Sequence, residues 1–233
     1  MEIKKEILIL AFFITLSIFL SLLLVGSFLD NKRQQSIDTR FEKMYADVGD
    51  MQKILLISGA YNGTVVCQAI NTKLNSMDRT MWDAGMKLEQ YRVASEEFKT
   101  ADYYSDQRKS FNDNEITYLM LLVQIKKQCE YNKPIISFFY QNSKTCSKCD
   151  DQSFVLNDIK REQGNNVNIF AFDTDLNLTS VDIIKNSYGV DEFPCVVIND
   201  QKYCGIRSKD FIMSKMCEDL QTSNFPSNIT GCP

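Results

Sequence analysis

The chain has 233 residues, with 26 Lys and Arg against 30 Asp and Glu; the net charge of -4 lacks the basic surplus expected of a general nucleic-acid binder. It contains no histidine, which excludes Ser/His and Cys/His catalytic pairs and every His-ligated metal site. Chemistry is left to thiols, carboxylates, lysines and tyrosines, and the cysteines number eight.

The first predicted element is apolar. Ile7 to Leu29 is a run of 23 residues without a charge, and at about 1.5 Å per helical residue it can cross a hydrocarbon core of roughly 30 Å. We expect an N-terminal transmembrane anchor over 1–30. A signal peptide cleaved near Val25-Gly26-Ser27 is the alternative, although the run exceeds the usual h-region of about 7 to 15 residues. Lys4 and Lys5 precede the run while Lys32, Arg33, Arg40 and Lys43 follow it, a balance that does not favour export of the C-terminal body. The cysteine count favours export, because disulfides persist outside the cytoplasm. Three Asn-x-Ser/Thr sequons, at Asn62, Asn177 and Asn228, agree with it. The expectation is a single-pass membrane protein with an extracytoplasmic body.

The segment 31–131 reads as helical. Ile37, Phe41, Met44, Val48, Met51 and Leu55 recur at spacings of four and three, drawing one apolar stripe from about Lys32 to Ile57. Ser58 to Gly63 is the expected turn. A second stripe runs through Cys67, Ile70, Leu74, Met77, Met81, Ala84, Leu88, Tyr91 and Phe98. Asn112 with Glu115 three residues later resembles a capping box, so the third helix is expected to start there and continue through Ile116, Leu119, Met120 and Val123. An intramolecular bundle or hairpin is favoured by the short turns; intermolecular coiled-coil pairing is the alternative. Its expected role is a packed spacer, with a substrate clamp or docking arm as the functional alternative.

The segment 132–222 begins where Asn132, Lys133 and Pro134 stop the third helix and open a strand. The apolar run Pro134 to Tyr140 leads into Cys146-Ser147-Lys148-Cys149, a reactive dithiol if it opens a helix. That helix should bury Val155, Leu156 and Ile159. A second strand follows at Val167 to Phe172, a third at Val196 to Ile198, with a hairpin turn at Asn199-Asp200 and a last helix capped by Ser208. Ile212, Met213, Met216, Cys217 and Leu220 would face the sheet. Residues 223–233 read as an irregular tail.

The dithiol after a strand, the order β, α, β, α, hairpin and α, and Tyr188-Gly189-Val190 ahead of Phe193-Pro194 together resemble the thioredoxin-like superfamily over about Lys133 to Leu220. The chain departs from thioredoxin itself in lacking the Trp and central Gly-Pro at the dithiol, in a slightly longer loop before it, and in Ser137 where a buried acid would stand. The expected fold class is α/β: a thioredoxin-like domain with a central mixed sheet, a Cys-x-x-Cys helix and a cis-proline, preceded by the anchor and the helical bundle.

The resemblance implies a thiol-disulfide oxidoreductase acting on exported proteins, with Cys146 the exposed attacking thiol and Cys149 the resolving one. Pro194 would be in cis and would shape the substrate-binding edge together with Phe193. The partners implied are protein thiols or disulfides and a membrane redox partner, with no cofactor and no nucleic acid. Lys144 and Lys148 would favour the thiolate, and Asp150 and Asp151 would oppose it. A non-catalytic exported binding module, with Cys146 and Cys149 as a structural disulfide, is the main alternative; a cytoplasm-facing reductase is another.

The other cysteines are less determined. Cys195 is a candidate auxiliary thiol or a small buried hydrophobe. A static disulfide between Cys204 and Cys217 is expected, leaving Cys232 to pair with Cys195 or stay free. Cys67 and Cys129 are expected to pair, provided the third helix starts near Asp102; a start at Asn112 would offset them by about 21 Å. A zinc or iron-sulfur site on Cys146, Cys149, Cys195 and one further cysteine lacks the second Cys-x-x-Cys that would recommend it, and no metal is expected.

Overall fold

A computed structural model describes residues 5–60, 64–94, 102–129, 131–142, 145–222 and 232. The described chain is mostly helical, with one small mixed sheet. Three long helices come first: α1 (Lys5–Ala60), α2 (Thr64–Ala94) and α3 (Asp102–Gln128). Then follow β1 (Ile135–Tyr140), α4 (Cys149–Gln163), β2 (Asn168–Asp173), α5 (Thr179–Ser187), β3 (Cys195–Ile198), β4 (Gln201–Cys204) and α6 (Lys209–Thr222). Leu220 lies in α6 with its side chain outside the described set, as do the side chain of Tyr91 and the whole of Phe98 and Lys144.

Helix α1 runs unbroken for 56 residues. Its first part is long and apolar enough to cross a membrane, and the large apolar side chains from Leu8 to Leu29 are exposed. Its second part buries the stripe Ile37, Phe41, Met44, Val48, Met51 and Leu55. A helix this long therefore carries two different apolar patterns: all round in its first half, where no protein covers it, and one-sided in its second, where the other helices do.

Polar contacts fix how the three helices lie against one another. Lys73 reaches Asp47 at 2.7 Å and Asp50 at 3.2 Å, and Arg40 lies 3.9 Å from Asp83, so α2 descends antiparallel to α1. On α3, Tyr103 donates to Asp38 at 2.6 Å, Tyr45 and Ser110 share a hydrogen bond, and Ser58 donates to Gln128 at 3.2 Å, so α3 climbs parallel to α1. Gly85 lets α2 and α3 approach closely: a Cβ there would sit 2.8 Å from the Phe111 ring.

The sheet has the order β2-β1-β3-β4. Strand β1 is parallel to β2, with Ile135 opposite Asn168 and Tyr140 opposite Asp173, and antiparallel to β3, with Phe139 opposite Cys195. Asn199 and Asp200 turn the β3–β4 hairpin, both at positive φ (46° and 70°), a conformation that short polar side chains tolerate. The period-two alternation sends Ile136, Phe138, Val196 and Ile198 to one face, against Leu156 and Ile159 of α4 and Ile212 and Met216 of α6. Val155 is only half-buried. The other face, with Phe139, Phe170, Phe172, Cys195 and Val197, joins Val181 and Ile184 of α5 and the bundle side chains in one continuous core. Ser208 caps α6, its Oγ accepting from Phe211 N at 3.3 Å.

The third helix corrects a sequence expectation. It starts at Asp102, ten residues before Asn112, and Asn112 and Glu115 are buried in its middle. Both serve the open edge of β2 instead of a helix terminus. Asp173 N donates to Asn112 Oδ1 at 2.8 Å, Ala171 N to Glu115 Oε1 at 3.2 Å, and Asn112 Nδ2 to Ala171 O at 3.4 Å. Edge backbone groups that would otherwise lack partners in a covered strand are thus satisfied by side chains.

Candidate functional site

Strand β1 ends at Tyr140, and the chain leaves it through a loop that the fold holds at several points. Asn142 donates from its backbone N and its Nδ2 to Asp175 Oδ2, at 2.8 and 2.7 Å. Its carbonyl accepts from Thr145 N at 3.1 Å and Cys146 N at 2.9 Å. Asp175 N donates to Asp173 Oδ1 at 2.9 Å, and the other Asp173 oxygen is ion-paired with Arg108 of α3. Arg108 also donates to the Tyr140 hydroxyl at 2.8 Å. Burial pushes the Asp173 carboxyl up, with the Arg108 guanidinium working in the opposite direction. A chain of bonds therefore runs from the helical bundle to the backbone of Cys146.

Cys146 and Cys149 are joined by a disulfide, their Cα atoms 5.4 Å apart. Cys149 is the first residue of α4, and its N donates to Cys146 O at 3.2 Å. Cys146 thus stands one turn ahead of the helix, where the helix dipole favours negative charge. It exposes only 6% of its surface and Cys149 only 2%, which corrects the expectation of an exposed attacking thiol: the bond to Cys149, itself buried at the start of α4, holds it inward. Lys148, Asp150 and Asp151 are exposed around the pair.

The peptide bond between Phe193 and Pro194 is cis. Because Cys195 pairs with Phe139, Pro194 stands at the same end of the sheet as Tyr140, from which the dithiol loop departs. Pro194 is buried and its carbonyl accepts from Gly205 N at 2.8 Å; Phe193 is half-buried.

A cleft of about 230 Å³ opens between α2, α3, the β2 edge and α4, and Cys149 is among the residues that line it. Trp82, Met86, Tyr104 and Phe111 give it apolar and aromatic walls. Across it, Lys160 of α4 pairs with Asp78 of α2 at 2.7 Å and donates to Val167 O at 2.7 Å. Burial lowers the pKa of Lys160, and Asp78 pulls it back up. Asp78 also accepts from Asn168 Nδ2 at 3.1 Å. Trp82 is the single tryptophan of the chain, but nothing in the sequence assigns it a site, and Asp78, Arg108 and Lys160 are each one charged residue among many on a helix. Their only signal is that they interrupt the solvated face at positions next to an apolar stripe.

Of the remaining cysteines, Cys67 and Cys129 pair as expected, while Cys195, Cys204, Cys217 and Cys232 pair differently. Cys195 is bonded to Cys204, its directly opposite neighbour on β4, so it is not a free thiol and not a partner of Cys232. Cys217 is bonded to Cys232, not to Cys204. The reason is register: Cys195 and Cys204 face each other on adjacent strands, whereas Cys217 lies on the opposite side of the sheet. Cys67 is bonded to Cys129, brought level by the early start of α3. Among the described residues no cysteine is free, and no group of His, Cys, Asp or Glu side chains is placed to hold a metal ion.

No protein-family model matches this chain, and neither does any curated protein sequence. A solved structure described as that of a malarial protein is similar over 38% of this chain and 99% of its own, at 17% identity and a TM-score of 0.33.

Proposed function

We propose that this chain is a membrane-anchored thiol-disulfide exchanger built on a thioredoxin-like domain, with Cys146 as the attacking thiol and Cys149 as the resolving one. The observation that carries the reading is the Cys146–Cys149 disulfide at the start of α4, directly after the central strand β1. The sheet order β2-β1-β3-β4, with α4 and α6 on one face and α5 on the other, supports a thioredoxin-like domain. The place of Phe193 and Pro194, at the same end of the sheet as the dithiol loop, supports them as the substrate-binding edge.

In the exchange, a client thiolate attacks Cys146 Sγ, the Sγ–Sγ bond to Cys149 breaks, and the electron pair leaves on Cys149. A second client thiolate then attacks the mixed disulfide and releases Cys146 as thiolate; the client is oxidised by two electrons and the dithiol reduced. The reverse sequence reduces a client disulfide. The helix dipole stabilises the thiolate in either direction, and the cleft beside Cys149 offers apolar walls for a client side chain. The all-paired cysteines support an oxidising, extracytoplasmic compartment for the body, and the exposed Asn177 sequon is compatible with it.

The test is turnover of a disulfide-bonded model peptide by the full chain in detergent with a thiol reductant. Cys146→Ser and Cys149→Ser should each abolish it, and only Cys149→Ser should accumulate a mixed disulfide. Activity retained in Cys146→Ser would refute the assignment. One observation favours a second reading, that of a non-catalytic module: Cys146 is nearly enclosed, as a structural disulfide would be.

A further inference from the structure

We infer that the dithiol lies at the bilayer-facing end of the body and exchanges with thiols or disulfides on a membrane-inserted partner, held close to the membrane surface. The inference rests on the exchange reading above and adds to it where the partner's reactive sulfur must be.

Helix α1 passes without a break from the apolar span into the bundle and so sets a height above the span for each residue it carries. With the span ending at Leu29, a rise of about 1.5 Å per residue puts Asp38 roughly 14 Å, Tyr45 roughly 24 Å and Ser58 roughly 44 Å beyond it. Hydrogen bonds transfer these heights to α3: Tyr103 lies beside Asp38, Ser110 beside Tyr45 and Gln128 beside Ser58. Arg108 is therefore near the bilayer end, and Tyr118 is farther from it.

The sheet is hung on α3 in a fixed sense. Asn168, at the start of β2, donates to the Tyr118 hydroxyl at 3.2 Å, while Asp173, at its end, is paired with Arg108. Strand β2 thus descends toward the span. Strand β1 is parallel to it and ends at Tyr140, which also meets Arg108. The dithiol loop leaves from that lower end. Helix α4 then climbs back to Lys160, which meets Asp78 of α2; Cys149, 11 residues earlier, lies roughly 16 Å along that helix from Lys160. The cis Phe193–Pro194 bond shares the lower end through the Cys195–Phe139 pairing. The Cys67–Cys129 disulfide marks the opposite end of the bundle, beside Gln128.

A dithiol carried at fixed height on a rigid helix meets partners in the same membrane at an effective concentration set by their own height. Partners whose sulfurs lie within roughly 10–25 Å of the bilayer are in reach, and those carried well above it are not.

The test uses the full-length Cys149→Ser protein in phosphatidylcholine liposomes with disulfide-bonded peptide probes. One probe is anchored by a transmembrane helix and a short spacer, a second by a rigid helical spacer about 30 Å longer, and a third is soluble. Mixed-disulfide formation with the short-spacer probe should exceed that with the tall one by about ten-fold or more. Inserting about 18 helix-forming residues after Arg33, five full turns and roughly 27 Å, should shift the preference to the tall probe. Equal rates on the two anchored probes, or an insertion that leaves the preference unchanged, would overturn the inference while leaving exchange intact. Failure with every probe, the soluble one included, would overturn the exchange reading and this inference with it.

Discussion

Lys160 of α4 holds its ammonium 2.7 Å from the carboxylate of Asp78 on α2, with the two side chains only 6% and 10% exposed. This buried pair ties the helical bundle to the helix that the dithiol opens. Removing one partner leaves a desolvated charge, so Asp78→Ala should destabilise the protein by about 3–5 kcal/mol. Replacing both, as Asp78→Leu with Lys160→Met, should restore most of that loss, since well-packed apolar residues can substitute for an ion pair. Urea unfolding of the single and double variants gives the comparison.

Glu115 is fully enclosed at the β2 edge, and burial raises its carboxyl pKa well above the usual value of 4.5, with the hydrogen bond from Ala171 N working against the rise. A raised folded-state value means that its contribution to stability is fully present below the unfolded pKa and is lost as pH rises through the folded one. The wild type should therefore lose stability relative to Glu115→Gln as pH rises above about 4.5. The amide oxygen of Gln can still accept from Ala171. Urea midpoints measured in parallel from pH 4 to 8 should converge at the acid end; parallel curves would show that Glu115 does not titrate in this way.

Gly85 sits where α2 meets the Phe111 ring, and a methyl group there would approach the ring to 2.8 Å. Gly85→Ala should cost about 1–3 kcal/mol through overpacking. Adding Phe111→Leu to Gly85→Ala should cost less than the sum of the two single changes, because the smaller side chain relieves the clash. Additive losses would mean that α2 and α3 move apart instead.

The disulfide between Cys67 and Cys129 closes a loop with a sequence separation of 62 residues. Loop-closure entropy assigns such a bond about 4 kcal/mol. Cys67→Ala with Cys129→Ala should lower the unfolding midpoint correspondingly, while leaving the redox behaviour of Cys146 and Cys149 unchanged. A changed potential would reveal coupling between the two ends of the bundle.

Local periodicity was the readable part of the fold. Ile37 to Leu55 recur at helical spacing and are buried as a stripe; Ile136 and Phe138 alternate with Phe139 and divide between the two faces of the sheet. What depends on distant partners was not readable. Asn112 and Glu115 have the spacing of a capping box, but their partners Ala171 and Asp173 are some 60 residues away, and only the tertiary fold shows the strand edge they serve. The Cys195–Cys204 bond is an intermediate case. Once Asn199 and Asp200 form a two-residue turn, Ile198 pairs with Gln201 and counting outward sets Cys195 opposite Cys204. The turn was legible, and the register that follows from it names the partner. The cleft was not legible, because Trp82, Arg108 and Lys160 converge from three separate helices.

The central claim is that Cys146 and Cys149 form an exchanging pair, and their reduction potential tests it most directly. The full chain in detergent would be equilibrated in redox buffers and the alkylation of Cys146 and Cys149 read by mass spectrometry, with Cys146→Ser as control. A reversible couple between roughly -120 and -270 mV, the range spanned by exchange catalysts, is the predicted result. A couple below about -300 mV would identify a structural disulfide and contradict the account.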